Sequence, residues 1–415
     1  MIYKVSRPPK SLHTSIRLPA SKSISNRLLV IHSLSENSTG ISNISVSDDT
    51  VLMQRALGSP ESLKDIGHAG TAMRFLTAFY ACMDGTVTMT GSDRMKERPI
   101  GPLVDALREL GAEIFYAGSE GYPPLEIKGK TLEGGKISIK GNISSQFISA
   151  LLLIAPTFKS GLKLVLTGEV VSSSYISMTL KLMGQYGADV DWIGDTITVA
   201  SGGYRSEAYS VESDWSAASY WYAMMLPELS AQISLSHMDQ DSLQGDSDLV
   251  NIFQKLGIAT VFDGHKASLQ KVTNIIPSLF EYDFTDSPDL VQSMAVILSL
   301  SSLPFRFTGT QTLRIKETDR IAALQIELRK LGFILNSDEA GSFLEWDGER
   351  CDPEKNPVIN TYHDHRMAMA FASVALVLGE IRIDDPMVVS KSYPGFWEDL
   401  KTAGFGVERG RDQIL

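Results

Sequence analysis

Six times along the chain an amphipathic helical segment closes on Leu-x-x-x-Gly, or a near variant of it, and runs directly into an apolar, strand-like stretch. The clearest copies are LRELGAEI from 107, LMGQYGADV from 182, FQKLGIATV from 253 and LRKLGFIL from 328, with weaker ones in VLMQRALGS from 51 and LKTAGFGV from 400. The closing glycines are Gly58, Gly111, Gly187, Gly257, Gly332 and Gly404, and every spacing after the first falls between 70 and 76 residues. Glycine after a helix takes the left-handed backbone conformation without a Cβ clash, and the β-branched residues that follow suit a strand. A helix stop and a strand start therefore recur at a fixed period, which points to duplication. Each unit of about 70 residues has room for more than one strand and helix, and three units per domain predict two similar α/β domains. The stretch KGKTLEGGKISIKGN (128–142) alternates in period two between glycines and adds strands and hairpins.

The rest of the sequence narrows the class. At 415 residues the chain is long enough for two or three domains, and its 43% hydrophobic and 21% charged residues are those of a globular protein. A formal charge of −11 argues against nucleic acid as a partner unless basic residues gather in one patch. The two cysteines, Cys82 and Cys351, lie far apart and outside any CxxC, so neither a disulfide framework nor a zinc knuckle is expected, and a cytoplasmic setting fits. The N-terminal segment has no apolar core of signal-peptide length. Apolar stretches such as 150–155 and 294–300 are too short to span a membrane.

Chemistry is concentrated in a few short segments. Gly129-Lys130-Thr131 fails as a phosphate loop because Pro124 stands where its first glycine is needed, and there is no GxGxxG. His363-Asp364-His365 has the residue types of a metal site, with the two histidines on one side of a strand-like approach. It reads better as the polar start of the buried helix MAMAFASVALVLG, with Asp364 complementing the helix dipole, since no HExxH or further histidine cluster completes a metal site. Against the acidic background stands a set of basic segments: PASKSISNR, HAGTAMR, DRMKERP, LRIKETDR, HDHR and SKSYPG. These carry Lys22, Arg27, Arg74, Arg94, Lys96, Arg98, Arg314, Lys316, Arg320, Arg366 and Lys391. Ser21, Ser23, Ser25, Gly70, Thr71, Ser144 and Ser145 lie among or near them. Arginine forks, lysine point charges, hydroxyls and helix-start amides together make pockets for small polyanions. If such a pocket performs chemistry, carboxylates must sit among the cations, and Glu317 and Asp289 are the candidates. Asp289 reads equally as a helix N-terminal residue.

The segments LPASKSISNR, HAGTAMRFL, DRMKERPIGPLVDALRELGA, ISSQFISALL, LRIKETDR and HDHRMAMAFA, in that order across nearly the full length, resemble the enolpyruvyl transferases of the EPSP synthase family. The resemblance implies an α/β fold of two similar domains, each of three βαβαββ repeats arranged as an inside-out α/β barrel, with the active site in the interdomain cleft. Residues 1–20 with 213–415 would form one domain and 21–212 the other, the chain crossing near 20 and near 212. It further implies transfer of the enolpyruvyl group of phosphoenolpyruvate to the 5-hydroxyl of shikimate 3-phosphate, on the route to chorismate and the aromatic amino acids. That reaction proceeds by addition and elimination with no metal or organic cofactor. A cytoplasmic monomer is expected, with small-molecule substrates and neither nucleic acid nor membrane as partner.

Carried over by motif, Lys22, Ser23 and Arg27 resemble an amino-terminal phosphate and carboxylate clamp. Ser144, Ser145, Gln146, Ser172 and Tyr175 resemble the holders of shikimate 3-phosphate. Gly70, Thr71, Arg98, Arg320, Arg366 and Lys391 resemble the phosphoenolpyruvate pocket, with Arg74 close by and Thr312 and His365 also matching substrate-binding positions. Asp289, Lys316 and Glu317 fall where the family has its acid–base groups, Asp289 as base and Glu317 as acid, with Lys22 and Lys316 stabilising charge. Gly70 resembles the form of the family that glyphosate inhibits. The sequence departs from the pattern at His68 and Thr312, where asparagine is usual, and at Ser173-Ser174, where Lys-Pro is usual. A sister family acting on a UDP-linked aminosugar usually has a reactive cysteine where this chain has Asp93. A metal-dependent hydrolase built on 363–365 and a non-catalytic anion binder are the competing readings from other classes.

Overall fold

A computed structural model of the chain describes residues 1–36, 40–228, 230–272 and 277–410. It divides into two compact units, Met1–Pro19 with Glu212–Leu415, and Ala20–Val211. Among the described residues each contains three sheets. In Ala20–Val211, Leu63–Asp65 pairs parallel with Gly85–Thr90, which pairs antiparallel with Leu125–Gly129, which pairs antiparallel with Glu113–Tyr116. Gly135–Lys140, Leu162–Thr167, Thr196–Val199 and Val190–Ile193 repeat that order of signs, and Ile41–Ser42 with Tyr209–Ser210 form a two-stranded parallel sheet. In the other unit the same order runs through His13–Arg17, Gln232–Ser236, Lys266–Lys271 and Ile258–Asp263. It runs again through Val358–Ile359, Glu380–Asp384, Ile2–Ser6 and Gly406–Arg409, so the N-terminal strand completes a sheet of the C-terminal repeat. A three-stranded sheet, Phe280–Asp283, Phe305–Thr308 and Phe343–Trp346, keeps the first two pairings.

Between the strands of each repeat lie two helices of different character. The first is Lys22–Leu34, Gly70–Cys82 or Ser145–Ile154 in one unit, and Trp215–Met225, Val291–Leu300 or His365–Ala372 in the other. These are close to buried all round: every residue of Val291–Leu300 and of His365–Ala372 is buried, as is all of Ser145–Ile154 except Gln146. The sheets expose one face, as the alternating burial along Gly135–Lys140 and Leu162–Thr167 shows. Helices inside and one-sided sheets outside invert the usual layering, and they explain apolar runs such as 150–155, 220–226 and 294–300. A helix with no solvent face needs no polar stripe. A leucine such as Leu298, wholly buried, is worth about 2–5 kcal/mol against alanine.

The periodic glycines end the second helix of each repeat. Gly111, Gly187, Gly257, Gly332 and Gly404 hold φ between 80° and 98°, the left-handed stop that the sequence predicts. Gly58 departs from this. It is the last residue of Asp48–Gly58, and the helix is closed instead by Ser59 in an extended conformation, so the copy with the irregular spacing is also the one with different stop geometry. The 128–142 stretch gives strands but no hairpin, because its two strands belong to different sheets, each paired with other segments. No helix among the described residues is long and apolar enough to cross a membrane.

Candidate functional site

In Ala20–Val211 the sequence-predicted residues gather at the N-terminal turns of four helices. Ser21 caps Lys22–Leu34 by accepting from the Ile24 amide, Ser144 caps Ser145–Ile154 by accepting from Gln146, and Gly70 and Thr71 open Gly70–Cys82. Ser172 precedes Ser173–Gln185 in a left-handed conformation, φ 55° and ψ 41°, that costs a non-glycine residue roughly 1–2 kcal/mol. Gln146 Nε2 donates to Thr71 Oγ1 at 3.3 Å, tying two of these helix starts together. Acidic side chains, ordinarily enriched in a first turn, are absent from the first turns of all four helices. The partial positive charge of a helix start favours an anion there.

Arg27 joins three of the helices one turn further in. Its Nε donates to Thr179 Oγ1 at 2.7 Å, NH1 to the Ser23 carbonyl at 2.9 Å, and NH2 to Ser149 Oγ and the Tyr175 carbonyl, both at 3.2 Å. These partners are all neutral, and the guanidinium is only 3% exposed. Burial pushes its pKa down to about 10, with Tyr175 opposing, so it stays cationic at neutral pH. Lys22 Nζ lies 3.6 Å from the buried Asp49 carboxylate. Arg74 donates to the Gly70 and Pro99 carbonyls at 3.1 and 3.2 Å. The Arg98 guanidinium packs directly on Gly70, where an added Cβ would stand 2.6 Å from NH1.

In the other unit Arg320, 1% exposed, gives each of its three nitrogens to a different carboxylate: Nε to Asp364 at 2.7 Å, NH1 to Asp289 at 2.9 Å and NH2 to Glu317 at 3.0 Å. Arg366 NH2 takes the second oxygen of Asp289 at 2.8 Å, and Lys391 Nζ takes the second oxygen of Glu317 at 2.9 Å. Burial alone would raise the Asp289 pKa, but Arg366, Lys316 and Arg320 outweigh it and hold the carboxyl well below the usual range. Burial lowers the Lys316 ammonium, against the pull of Asp289. Asp289 sits in the turn Pro288–Leu290 ahead of Val291–Leu300, and that turn has no side-chain cap bond; its carboxylate faces cations instead. Thr312 lies in the turn Gln311–Ile315, its Oγ1 buried with no hydrogen-bond partner among the described residues. His68 is exposed in a turn.

The 363–365 triplet does not have strand geometry. Tyr362 and His363 both take positive φ, 54° and 56°, which turns the His363 ring to solvent, 92% exposed, while His365 is 1% exposed. Asp364 between them caps His365–Ala372 by accepting from the Arg366 amide at 2.9 Å. Among the described residues no group of three or more potential ligands could hold a metal ion. Sequence reasoning passed over Ser149 and Thr179, which seat Arg27, and the Asp364 bond to Arg320. Ser149 and Thr179 follow Ser145 and Tyr175 by four residues on otherwise apolar helix faces, a signal that could have marked them. It also passed over Asp246, 4% exposed, whose carboxylate contacts Ser216 Oγ.

A family model described as EPSP synthase (3-phosphoshikimate 1-carboxyvinyltransferase) matches residues 6–59 and 56–400. The chain is 51% identical over 405 residues to a 3-phosphoshikimate 1-carboxyvinyltransferase of Bacteroides fragilis, covering 97% of this chain and 98% of that one. It is 35% identical to the Methanospirillum hungatei protein of the same name, over 93% and 95% of the two chains. A solved EPSP synthase from Acinetobacter baumannii shares the fold, with a TM-score of 0.78 at 22% identity, covering 98% of this chain and all of that one.

Proposed function

Given that the chain belongs to the EPSP synthase family, we propose that both clusters hold its anionic substrates and that the cluster around Arg320 also moves protons. The enzyme transfers the enolpyruvyl group of phosphoenolpyruvate to shikimate 3-phosphate and releases phosphate, in aromatic biosynthesis. In our reading Ser144, Ser145, Gln146, Ser172 and Tyr175 hold shikimate 3-phosphate, and Lys22, Ser23 and Arg27 form a phosphate and carboxylate clamp. Gly70, Thr71, Arg98, Arg320, Arg366 and Lys391, with Arg74 close by, serve the anionic groups of phosphoenolpyruvate, and Thr312 and His365 lie at further substrate-binding positions. The observation that carries the acid–base assignment is the Arg320 fork, which fixes Asp289 and Glu317 on adjacent nitrogens of one buried guanidinium.

The substrate's 5-hydroxyl oxygen bonds to the central carbon of phosphoenolpyruvate while Asp289 takes the hydroxyl proton. Glu317 delivers a proton to the methylene carbon, which becomes a methyl group. The resulting tetrahedral adduct loses a methyl proton and expels phosphate, restoring the double bond, with the acid and base roles reversed. The cations around Asp289 make it a weak base before substrates arrive. Phosphate and carboxylate groups arriving at Arg366 and Lys316 offset those charges and raise its basicity, so proton transfer is coupled to a filled site. A cytoplasmic monomer completes the proposal, with size-exclusion chromatography as the test of its oligomeric state. Inorganic phosphate followed by ³¹P NMR tests the reaction. It should appear, without added metal, only when both substrates are present; phosphate release from phosphoenolpyruvate alone would overturn the reading.

A further inference from the structure

We propose that Asp246 is a positioning residue for this reaction, holding the Arg366 guanidinium in register through the Ser216 hydroxyl. The inference rests on the reading of Arg366 as a phosphoenolpyruvate contact. Arg366 NH2 donates to Asp289 at 2.8 Å and to Ser216 Oγ at 3.4 Å. Ser216 is the only residue of Trp215–Met225 that is not buried, and its hydroxyl donates in turn to Asp246 Oδ2. The sequence Arg366 to Ser216 to Asp246 is thus a donor chain ending on a carboxylate, and a hydroxyl that donates to an anion is the stronger acceptor for the guanidinium behind it.

Among the described residues the Asp246 carboxylate has no hydrogen-bond partner besides Ser216. It lies in the turn Gly245–Asp248, which has no side-chain cap bond, and the following helix Leu249–Gln254 has none either. The residue is 4% exposed, and its Oδ1 is buried with no hydrogen-bond partner among the described residues. The charged groups acting on it are Asp289 and Asp214, which disfavour its ionisation, and Arg366, which favours it; Tyr282 also feels its charge. Burial first and Asp289 second raise its pKa to about 7, against Arg366 and the Ser216 bond. When protonated, the carboxyl donates to Ser216 Oγ instead of accepting from it, the hydroxyl loses its polarising partner, and the hold on Arg366 relaxes.

The test compares Asp246→Asn, Ser216→Ala, Ser216→Thr and Arg366→Lys in steady-state assays across pH. Asp246→Asn and Ser216→Ala should each raise KM for phosphoenolpyruvate on the order of fivefold to tenfold, the effect of one lost hydrogen bond, with kcat changed less than about twofold. Ser216→Thr should restore the wild-type KM. In the wild type, kcat/KM for phosphoenolpyruvate should rise with pH through about 7 as Asp246 ionises, and that limb should be missing in Asp246→Asn. If Arg366→Lys raises KM while Ser216→Ala and Asp246→Asn keep both KM and the pH limb of the wild type, this inference is wrong and the site reading stands. If Arg366→Lys itself leaves KM unchanged, the site reading is wrong. Should Asp246→Asn fail to fold, Ser216→Ala decides.

Discussion

Replacing Gly70 with alanine separates folding from ligand binding in a way the geometry makes quantitative. The backbone there is an ordinary helix start with no positive φ, so alanine is sterically permitted and has a helix propensity better by up to about 1 kcal/mol. The new methyl would, however, lie 2.6 Å from Arg98 NH1 and 3.0 Å from both Cζ and NH2. Those atoms are the far end of a flexible, half-buried side chain, so the guanidinium retreats by roughly 1 Å and the fold is undisturbed. A charge-assisted hydrogen bond near 2.8 Å does not survive that displacement, and its loss is worth about 1.5–3 kcal/mol, or roughly 10- to 150-fold in affinity. Gly70→Ala should therefore raise KM for phosphoenolpyruvate and the inhibition constant of glyphosate, its competitor, while leaving Tm level or slightly higher. In an Arg98→Ala background the same change should add nothing, since the clashing partner is gone. An unaltered KM in Gly70→Ala, or full additivity with Arg98→Ala, would refute the assignment of Arg98 to the anion.

The acid–base pair and its titration give two further expectations. Asp289→Asn and Glu317→Gln should each lower kcat by roughly 10²-fold or more while substrates still bind by calorimetry, and turnover within a few-fold of wild type would remove that residue from the chemistry. Asp289 has a folded-state pKa depressed below its unfolded value, so its contribution to stability is fully present above about pH 4 and is lost as pH falls through the folded value. Urea melts should accordingly show the stability gap between wild type and Asp289→Asn to be wide at neutral pH and narrowing below the ordinary carboxylate range; a gap independent of pH would contradict the ion pairing.

Some of this was legible without coordinates because it is local. A left-handed glycine is needed wherever a helix stops and turns into a strand within two residues, so Gly111, Gly187, Gly257, Gly332 and Gly404 announce the repeat from sequence alone. Ser21 and Ser144, which the sequence offers only as hydroxyls for an anion pocket, act as helix caps with partners two or three residues away, a pairing equally local. Sequence reasoning stops where partners are set by packing of distant segments. Nothing near position 246 tells that its carboxylate meets Ser216, thirty residues earlier, or that one arginine will hold Asp289, Glu317 and Asp364 together. The 363–365 triplet misleads for a related reason. Its alternation suggests a strand, but two consecutive positive-φ residues, which sequence pattern does not encode outside glycine and asparagine, swing the two rings to opposite environments.

The two clusters differ in charge balance, and the difference predicts which of them draws in the phosphate of shikimate 3-phosphate. Lys22, Arg27, Arg74 and Arg98 lie in one unit, where Lys22 faces the carboxylate of Asp49 and the helices carrying Lys22, Arg27 and Arg74 have no acid in their first turns. Lys316, Arg320, Arg366 and Lys391 are matched by Asp246, Asp289, Glu317 and Asp364. A surplus of cations attracts a phosphate dianion; a balanced set has little net field to offer but holds ionisable groups at tuned protonation states. Shikimate 3-phosphate, bound alone, should then show salt-sensitive affinity dominated by the first cluster. Raising salt from about 0.01 M to about 0.1 M shortens the Debye length from roughly 30 Å to roughly 10 Å. Calorimetric affinity should fall over that range, and the slope should be shallower in Lys22→Met, which removes one unit of the surplus. The matching loss of a cation from the balanced set, Lys391→Met, should leave the slope unchanged. Equal slopes in all three proteins would mean that the charge surplus around Arg27 does not recruit the phosphate.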